Sequence, residues 1–360
     1  MLNTTLEIDA MITGINYEPY LCRSLKTYSL ADFAKALRSD ASFILEKNRN
    51  NKVALSWWVS AKRTRSYPYA RVYDTLNFSG KKVTIIPVIK DEGSDGDRDF
   101  LQWDTLSLMS LLGVYVIVSY YGDATKNEDY RNKITEQKYD VNYITKQLQN
   151  LCSYQSDALH WNLEQAEMVP DLGKKAIESY QKISERLKVK MHSKDSALRK
   201  IQKIKEGKDA FMKISRTLAK KAQNRESMTT QPKEQLNGSK GKITIKNYLG
   251  GFYYFTSDEI EIYGNNIRLI EGKHSKNNEL PSLDDIKDGL VKMILFSNLK
   301  NVKISSKHYR TVAQLKLTSE REFNENNLNE SQKNVLKLLI EEAKTNNFEV
   351  RINEQMLWLK

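Results

Sequence analysis

Cysteine is nearly absent from this chain, whose 360 residues include only Cys22 and Cys152. Two cysteines so far apart give neither a disulfide framework nor the CxxC spacing of zinc and redox sites. The four histidines also lack metal-ligand spacing. The sequence therefore excludes the disulfide-stabilised and zinc-finger classes.

Long apolar runs are missing as well. The longest, from Leu106 to Val118, is shorter than the roughly 20 residues that a membrane-spanning helix needs. The opening MLNTTLE lacks the basic-then-apolar order of a signal peptide. We therefore expect a soluble, cytoplasmic protein without a membrane partner.

Motifs for common cofactors are also missing. The sequence has no P-loop, no GxGxxG and no nucleophile elbow. Nothing in it indicates an NTP-driven or hydride-transfer enzyme.

Positive charge, by contrast, is plentiful and local. The net charge is +12 and the pI is about 9.3. Residues 181–246 contain 19 Lys and Arg against 6 Asp and Glu, a balance of +13, so the rest of the chain carries −1. A local excess of this kind indicates a polyanionic partner, such as nucleic acid.

Hydrophobic periodicity predicts an α/β protein with a mixed sheet and four segments. We expect an N-terminal mixed α/β unit over residues 1–155, which could recognise the target, and a basic helical arm over 156–226. A loop over 227–242 and a core over 243–360 follow. Strands are predicted, among others, at Tyr69–Tyr73, Asp258–Ile262 and Ile267–Lys273, and a helix at Leu283–Leu299.

One predicted hairpin carries a group of charged residues. If Gly264-Asn265 forms a two-residue type II′ turn, Asp258 lies directly opposite Glu271, with Lys273 on the same face. Two carboxylates in that arrangement destabilise a sheet unless a cation or a proton relieves them. The pattern favours a metal site over a charged hairpin of no special function.

This arrangement resembles the PD-(D/E)xK nuclease superfamily, which includes most type II restriction endonucleases. The match covers about residues 243–317. The resemblance implies that Asp258 and Glu271 bind Mg²⁺, that the Gly272 carbonyl is a further ligand, and that Lys273 orients or activates the attacking water. Residue 257 is Ser where the family name has Pro, which leaves Glu259 as an alternative first acid.

The resemblance also implies a function. We expect a site-specific, Mg²⁺-dependent endonuclease that cleaves double-stranded DNA, as in type II restriction. The sequence does not determine the oligomeric state, but cleavage of a palindromic site would favour a two-fold homodimer. A companion methyltransferase is implied by the resemblance alone. The alternatives are a repair or mobile-element nuclease of the same superfamily and a non-catalytic nucleic-acid-binding protein.

A competing active site lies upstream. Asp74, Lys90 and Asp104 resemble the family subtype in which the second acid has moved to the helix, although Val88 occupies the usual position of that acid. The acidic segment that follows Lys90, with acids from Asp91 to Asp99, is expected to be a solvated loop.

Two basic segments are candidates for DNA contact. The first interleaves cations with aromatic residues and could read bases: Lys62, Arg63, Arg65, Tyr67 and Arg71. The second lies on the helical arm and would contact phosphates regardless of sequence: Arg199, Lys200, Lys203 and Lys205.

Overall fold

The computed structural model describes residues 5–48, 51–62, 67–205, 213, 217, 220–221, 223–224, 239–248, 251–320 and 323–358. The chain divides into two compact units. We call Met1–Arg23 with Arg216–Lys360 the terminal unit, and Ser24–Ser215 the inserted unit. Both contain helices and strands, so the predicted mixed α/β class is confirmed.

The described strands, in chain order, are β1 (Leu6–Ile12), β2 (Thr27–Ser29), β3 (Ser42–Asn48), β4 (Asn51–Trp57), β5 (Lys81–Pro87), β6 (Ile89–Asp91), β7 (Arg98–Phe100), β8 (Val114–Ser119), β9 (Tyr121–Lys126), β10 (Ile134–Tyr139), β11 (Ser239–Asn247), β12 (Phe252–Tyr263), β13 (Asn266–Ser275), β14 (Lys300–Ile304), β15 (Lys307–Ser319), β16 (Phe348–Ile352) and β17 (Gln355–Trp358). The described α-helices are α1 (Phe33–Ser39), α2 (Pro68–Tyr73), α3 (Trp103–Leu111), α4 (Val141–Ser153), α5 (Ala158–Leu187), α6 (Lys194–Lys205), α7 (Leu283–Ser297) and α8 (Glu330–Asn346).

The terminal unit is built on an eight-stranded sheet of order β13-β12-β11-β1-β14-β15-β16-β17, in which β13 also pairs with β15. β11, β12 and β13 form an antiparallel meander. The chain then passes through α7 and β14 to β15, which runs parallel to β13. Ser282 caps α7 by accepting a hydrogen bond from the Asp285 N–H.

The inserted unit has a five-stranded sheet of order β2-β3-β4-β5-β8, in which β4, β5 and β8 are parallel. Helix α5 covers the edge strand β8 with amide side chains. Asn162 and Gln165 accept hydrogen bonds from the Val116 and Val118 N–H groups at 2.7 and 3.0 Å. This helix thereby satisfies backbone donors that an exposed edge would leave open to another strand.

The boundaries between the two units differ from the segment boundaries that the sequence predicts. The inserted unit contains α5, which is bound to β8, and it includes most of the expected arm, as far as Ser215. Because β1 pairs in parallel with β11, residues 6–12 belong to the terminal unit. Most of the expected loop over 227–242 lies outside the described residues, and its last residues, from Ser239, are part of β11.

The strand predicted at Tyr69–Tyr73 is wrong. These residues form α2, which Pro68 begins at its first turn, where a missing N–H costs nothing. The sequence does not indicate this helix, because its aromatic residues are spaced as in a strand. Among the described helices, none is long and apolar enough to cross a membrane.

Candidate active site

The hairpin β12–β13 has the register that the turn predicts. Tyr263 pairs with Asn266, and the ladder continues to Glu259 opposite Ile270. Gly264 takes φ 62°, the positive value that the first residue of a type II′ turn requires. The turn sequence therefore sets the alignment of both strands.

At Asp258 the regular ladder gives way to a bulge. The pairing of β12 with β11 shifts between Ile260 and Ser257. The Ser257 hydroxyl accepts a hydrogen bond from the Ile270 N–H at 3.0 Å, so a side chain replaces a backbone partner. A bulge, which re-aims side chains, consequently displaces Asp258 from the regular pairing.

The displaced Asp258 carboxylate reaches across to the neighbouring strand. Its Oδ2 accepts a hydrogen bond from the Gly272 N–H at 2.8 Å. Gly272 lies between Glu271 and Lys273, so the three predicted catalytic residues are brought together. Of the acids, Asp258 is half-buried and Glu271 is only 2% exposed.

Two ammonium groups hold the Glu271 carboxylate. Lys273 Nζ lies 3.0 Å from Oε1, and Lys292 Nζ lies 2.6 Å from Oε2. Lys292 projects from α7, which therefore covers the face of the sheet that carries Glu271 and Lys273. An aspartate of α7, Asp288, accepts a hydrogen bond from Lys273 Nζ at 2.7 Å.

These contacts determine the ionisation of the site. Burial alone would raise the pKa of Glu271, but the charges of Lys292 and Lys273 outweigh it and lower that pKa to about 2. Burial alone would lower the pKa of Lys273, yet Glu271 and Asp288 raise it above its ordinary value. Glu271 and Lys273 are therefore both charged at neutral pH.

The alternative first acid, Glu259, lies on the other face of the sheet. It is paired with Ile270, the neighbour of Glu271, and side chains alternate along a strand. Glu259 is buried 3.6 Å from Lys316, a residue of β15. Asp258 is thus the acid that accompanies Glu271.

The donor set suits Mg²⁺, which prefers oxygen ligands, keeps several of its waters and needs only one or two protein carboxylates. Asp258 and Glu271 would supply those carboxylates. Within the described ranges there is no cluster of three or more His, Cys, Asp or Glu side chains that could hold a metal ion.

Sequence reasoning missed Lys292 and Asp288. Lys292 lies in the apolar second half of α7, and Asp288 lies four residues before it and hence on the same face of the helix. A buried helix that carries charged residues at this spacing is expected to face a polar site. The Ser282 cap determines where the helix begins, but not which strand it covers.

The competing residues lie in the inserted unit and are all buried. Asp74 follows α2, Lys90 lies in β6 and Asp104 lies in the first turn of α3. Lys90 Nζ is 2.9 Å from Glu92 Oε1. This lysine thus has a carboxylate partner from the acidic segment.

That acidic segment is not the solvated loop that we expected. Asp91 is buried and contacts His192 at 2.7 Å, and Asp99 accepts a hydrogen bond from Ser60 at 2.7 Å. Asp95 and Asp97 are exposed, as the prediction required. Pairing of β6 with β7 accounts for the difference, because it turns the ends of the segment inward.

The first basic segment is only partly described. Arg63 and Arg65 lie outside the described residues, Lys62 is half-buried and Tyr67 is 47% exposed. Arg71 donates a hydrogen bond to the Trp57 carbonyl at 2.9 Å and lies over the Trp57 ring at 4.4 Å. Its guanidinium is thus engaged within the fold.

The second basic segment forms α6. Arg199 is exposed, whereas Lys200 is half-buried with Nζ 3.7 Å from the centre of the Phe100 ring. Lys203 and Lys205 belong to the same helix, and their side chains lie outside the described part of the chain.

Comparison with known proteins gives no relative from which a function could be transferred. No family model, no curated protein and no solved structure matches the chain. A function can therefore be inferred only from the residues of the chain itself.

Proposed function

We propose that this protein is a Mg²⁺-dependent endonuclease that cleaves double-stranded DNA at specific sites, in the manner of type II restriction enzymes. The observation that carries the proposal is the group formed by Asp258, Glu271 and Lys273: two acids and a lysine on adjacent strands, with Glu271 buried and ionised. The positive charge over residues 181–246 supports DNA as the polyanionic partner.

Each residue of the group has a chemical role in this proposal. Asp258 and Glu271 would hold the metal ion, with the Gly272 carbonyl as a third oxygen. When bound, Mg²⁺ stabilises charge on the phosphate and acidifies a water. Lys273, fixed between Glu271 and Asp288 by contacts of 3.0 and 2.7 Å, would orient the attacking water.

Lys292 has a different role, because it neutralises Glu271 from the covering helix. A buried carboxylate without a cation would take up a proton and lose its value as a metal ligand. Lys292 keeps Glu271 ionised before a metal ion arrives. It is therefore a positioning residue in this proposal.

The test is cleavage of a supercoiled plasmid of known sequence with and without Mg²⁺. The wild-type protein should give discrete bands with Mg²⁺ only, and Glu271→Gln and Lys273→Met should give none, although both variants should still unfold in a single cooperative thermal transition, at a lower temperature than the wild type. The control is Lys333→Met, which removes an exposed partner of Glu330 in α8 and should cut normally.

Two results would contradict the proposal. One is a wild-type protein that binds DNA but never cuts it, which would indicate a non-catalytic binding protein. The other is cutting by Glu271→Gln at the wild-type rate, which would place the reaction elsewhere.

A further inference from the structure

The inserted unit contains a cleft of about 330 Å³ between α5, the β6–β7 hairpin and residues 190–197. Its lining includes apolar side chains, those of Ile177, Met191 and Ala197. Its volume is at the small end of the range for small-molecule sites, which suits a single compact ligand. All the residues that line it belong to this one unit.

A carboxylate and an imidazole form the base of the cleft. Asp91 Oδ1 lies 2.7 Å from His192 Nδ1 and accepts a further hydrogen bond from the Gly93 N–H at 2.9 Å. The Tyr180 hydroxyl accepts one from the Asp91 N–H at 3.0 Å. Asp91 is thus fixed, and it orients the His192 ring.

The other ring nitrogen of His192 is available to a ligand. Nδ1 is engaged by Asp91, so Nε2 is on the side of the ring away from it. Within the described ranges, no residue forms a hydrogen bond with His192 Nε2. A histidine that carries a proton on both ring nitrogens can donate to a carboxylate from one nitrogen and to an anion from the other.

Arg98 fixes the position of residues 190–197, the segment that lines one side of the cleft. Its guanidinium donates to the Ser193 carbonyl at 3.0 Å and to the Ser196 hydroxyl at 3.1 Å, and it lies 3.9 Å from Asp91. The segment that carries His192 is thereby attached to β7, and its position beside the cleft is fixed by these contacts.

Lys194 spans the mouth of the cleft. Its Nζ donates a hydrogen bond at 2.8 Å to the Gln181 side-chain oxygen on the opposite wall, α5. An amide is a neutral acceptor, and a charge-assisted bond to an anion is stronger. An anionic ligand can therefore replace Gln181 as the partner of Lys194.

The charged groups that line the cleft give it a positive balance. Arg98, Lys190 and Lys194 are positive, Asp91 alone is negative, and His192 adds charge when protonated. The cleft therefore combines apolar side chains with cationic ones.

We propose that this cleft binds a nucleoside monophosphate, with the base against Ile177, Met191 and Ala197 and the phosphate between His192 Nε2, Lys190 and Lys194. The ligand is either a free nucleotide or the 5′-phosphorylated end of a nucleic acid strand. The site is independent of the catalytic group in the terminal unit, because it shares no residue with it.

Calorimetric titration of the full chain, without added Mg²⁺, tests this site. Deoxyadenosine monophosphate should bind at least about tenfold more tightly than deoxyadenosine or inorganic phosphate alone, because each of these can make only one of the two kinds of contact, apolar or ionic. His192→Ala should abolish this binding. Lys194→Gln, whose side chain has no charge, should weaken it by about tenfold.

A second pair of ligands distinguishes a free nucleotide from the 5′-phosphorylated end of a strand. Two single-stranded oligonucleotides, one with and one without a 5′-phosphate, are titrated in the same way. Preference for the phosphorylated strand over the mononucleotide identifies a strand end as the ligand, and the reverse preference identifies a free nucleotide.

The control variant is Lys174→Gln, which removes a lysine from α5 that pairs with Asp171 at the surface. It should bind as the wild type does. The proposal is overturned if deoxyadenosine monophosphate does not bind, if inorganic phosphate binds equally well, or if Lys194→Gln and Lys174→Gln cannot be distinguished.

Discussion

Lys292 Nζ approaches the Glu271 carboxylate to 2.6 Å from the helix that covers β13. The same ammonium group also donates to the Thr256 carbonyl at 3.3 Å, so it joins α7 to both β12 and β13. Both partners are buried. The contact therefore couples the ionisation of the candidate active site to the packing of the core.

Replacing Lys292 tests this coupling. Lys292→Met keeps the length of the side chain but removes one of the two cations at Glu271. Removing one partner of a buried pair typically costs about 3–5 kcal/mol, because the other charge is left uncompensated. We expect urea unfolding to show a loss of this order, and the double variant Lys292→Met/Glu271→Gln to recover much of it. A loss no larger than that of Lys333→Met would show that the contact contributes little.

The low pKa of Glu271 predicts how stability depends on pH. Its value of about 2 in the folded protein is below the ordinary value of 4.5, so its ionic contacts contribute fully above pH 4.5 and are lost as the pH falls towards 2. The free energy of unfolding should therefore fall more steeply across this window in the wild type than in Glu271→Gln. The measurement is urea unfolding at a series of pH values. Equal slopes would mean that Glu271 titrates normally.

The hairpin illustrates what the sequence can predict about the site. The Gly264-Asn265 turn determines the register locally, so the alignment of β12 with β13 follows from adjacent residues. The bulge at Asp258 does not, because it depends on β11 and on the Ser257 hydroxyl. Nor does the approach of Lys292, which depends on how α7 packs.

The same distinction holds for the fold. Strands and helices with clear periodicity, such as β16 and α7, could be predicted close to their observed ends. The pairing of β1 with β11 could not, since a short alternating segment carries no information about a partner so distant in sequence. The unit boundaries depend on that pairing and were therefore misplaced.

An active site at Lys90 and Asp104 would require the opposite mutational pattern from one at Glu271. If the terminal unit holds the active site, Lys90→Met should leave plasmid cleavage intact and only weaken the contact with Glu92. The measurement is the Mg²⁺-dependent cleavage rate of Lys90→Met, Asp104→Asn and Glu271→Gln in parallel. Cleavage that persists in Glu271→Gln but disappears in the other two would move the active site to the inserted unit.

Arg199 and Lys200 are neighbours in α6 with different environments, which makes them a matched pair. Arg199 is exposed and free to contact phosphates, whereas Lys200 lies on the Phe100 ring. Arg199→Gln should reduce the slope of log K against log salt by about 1, the loss of one phosphate contact. Lys200→Gln should leave the slope nearly unchanged and lower the melting temperature instead. Identical slopes for Arg199→Gln and the wild type would remove α6 from the DNA interface.

The parallel pairing of β1 with β11 has a consequence for how the molecule is made. During synthesis β1 leaves the ribosome long before Ser239, the first residue of its partner β11. In that interval β1 cannot form its parallel pairing. The inserted unit is complete by Ser215 and can fold in the meantime, as domains do during translation. The sheet of the terminal unit can be completed only after β11 and the strands that follow it emerge, so the candidate active site forms after the inserted unit has been synthesised.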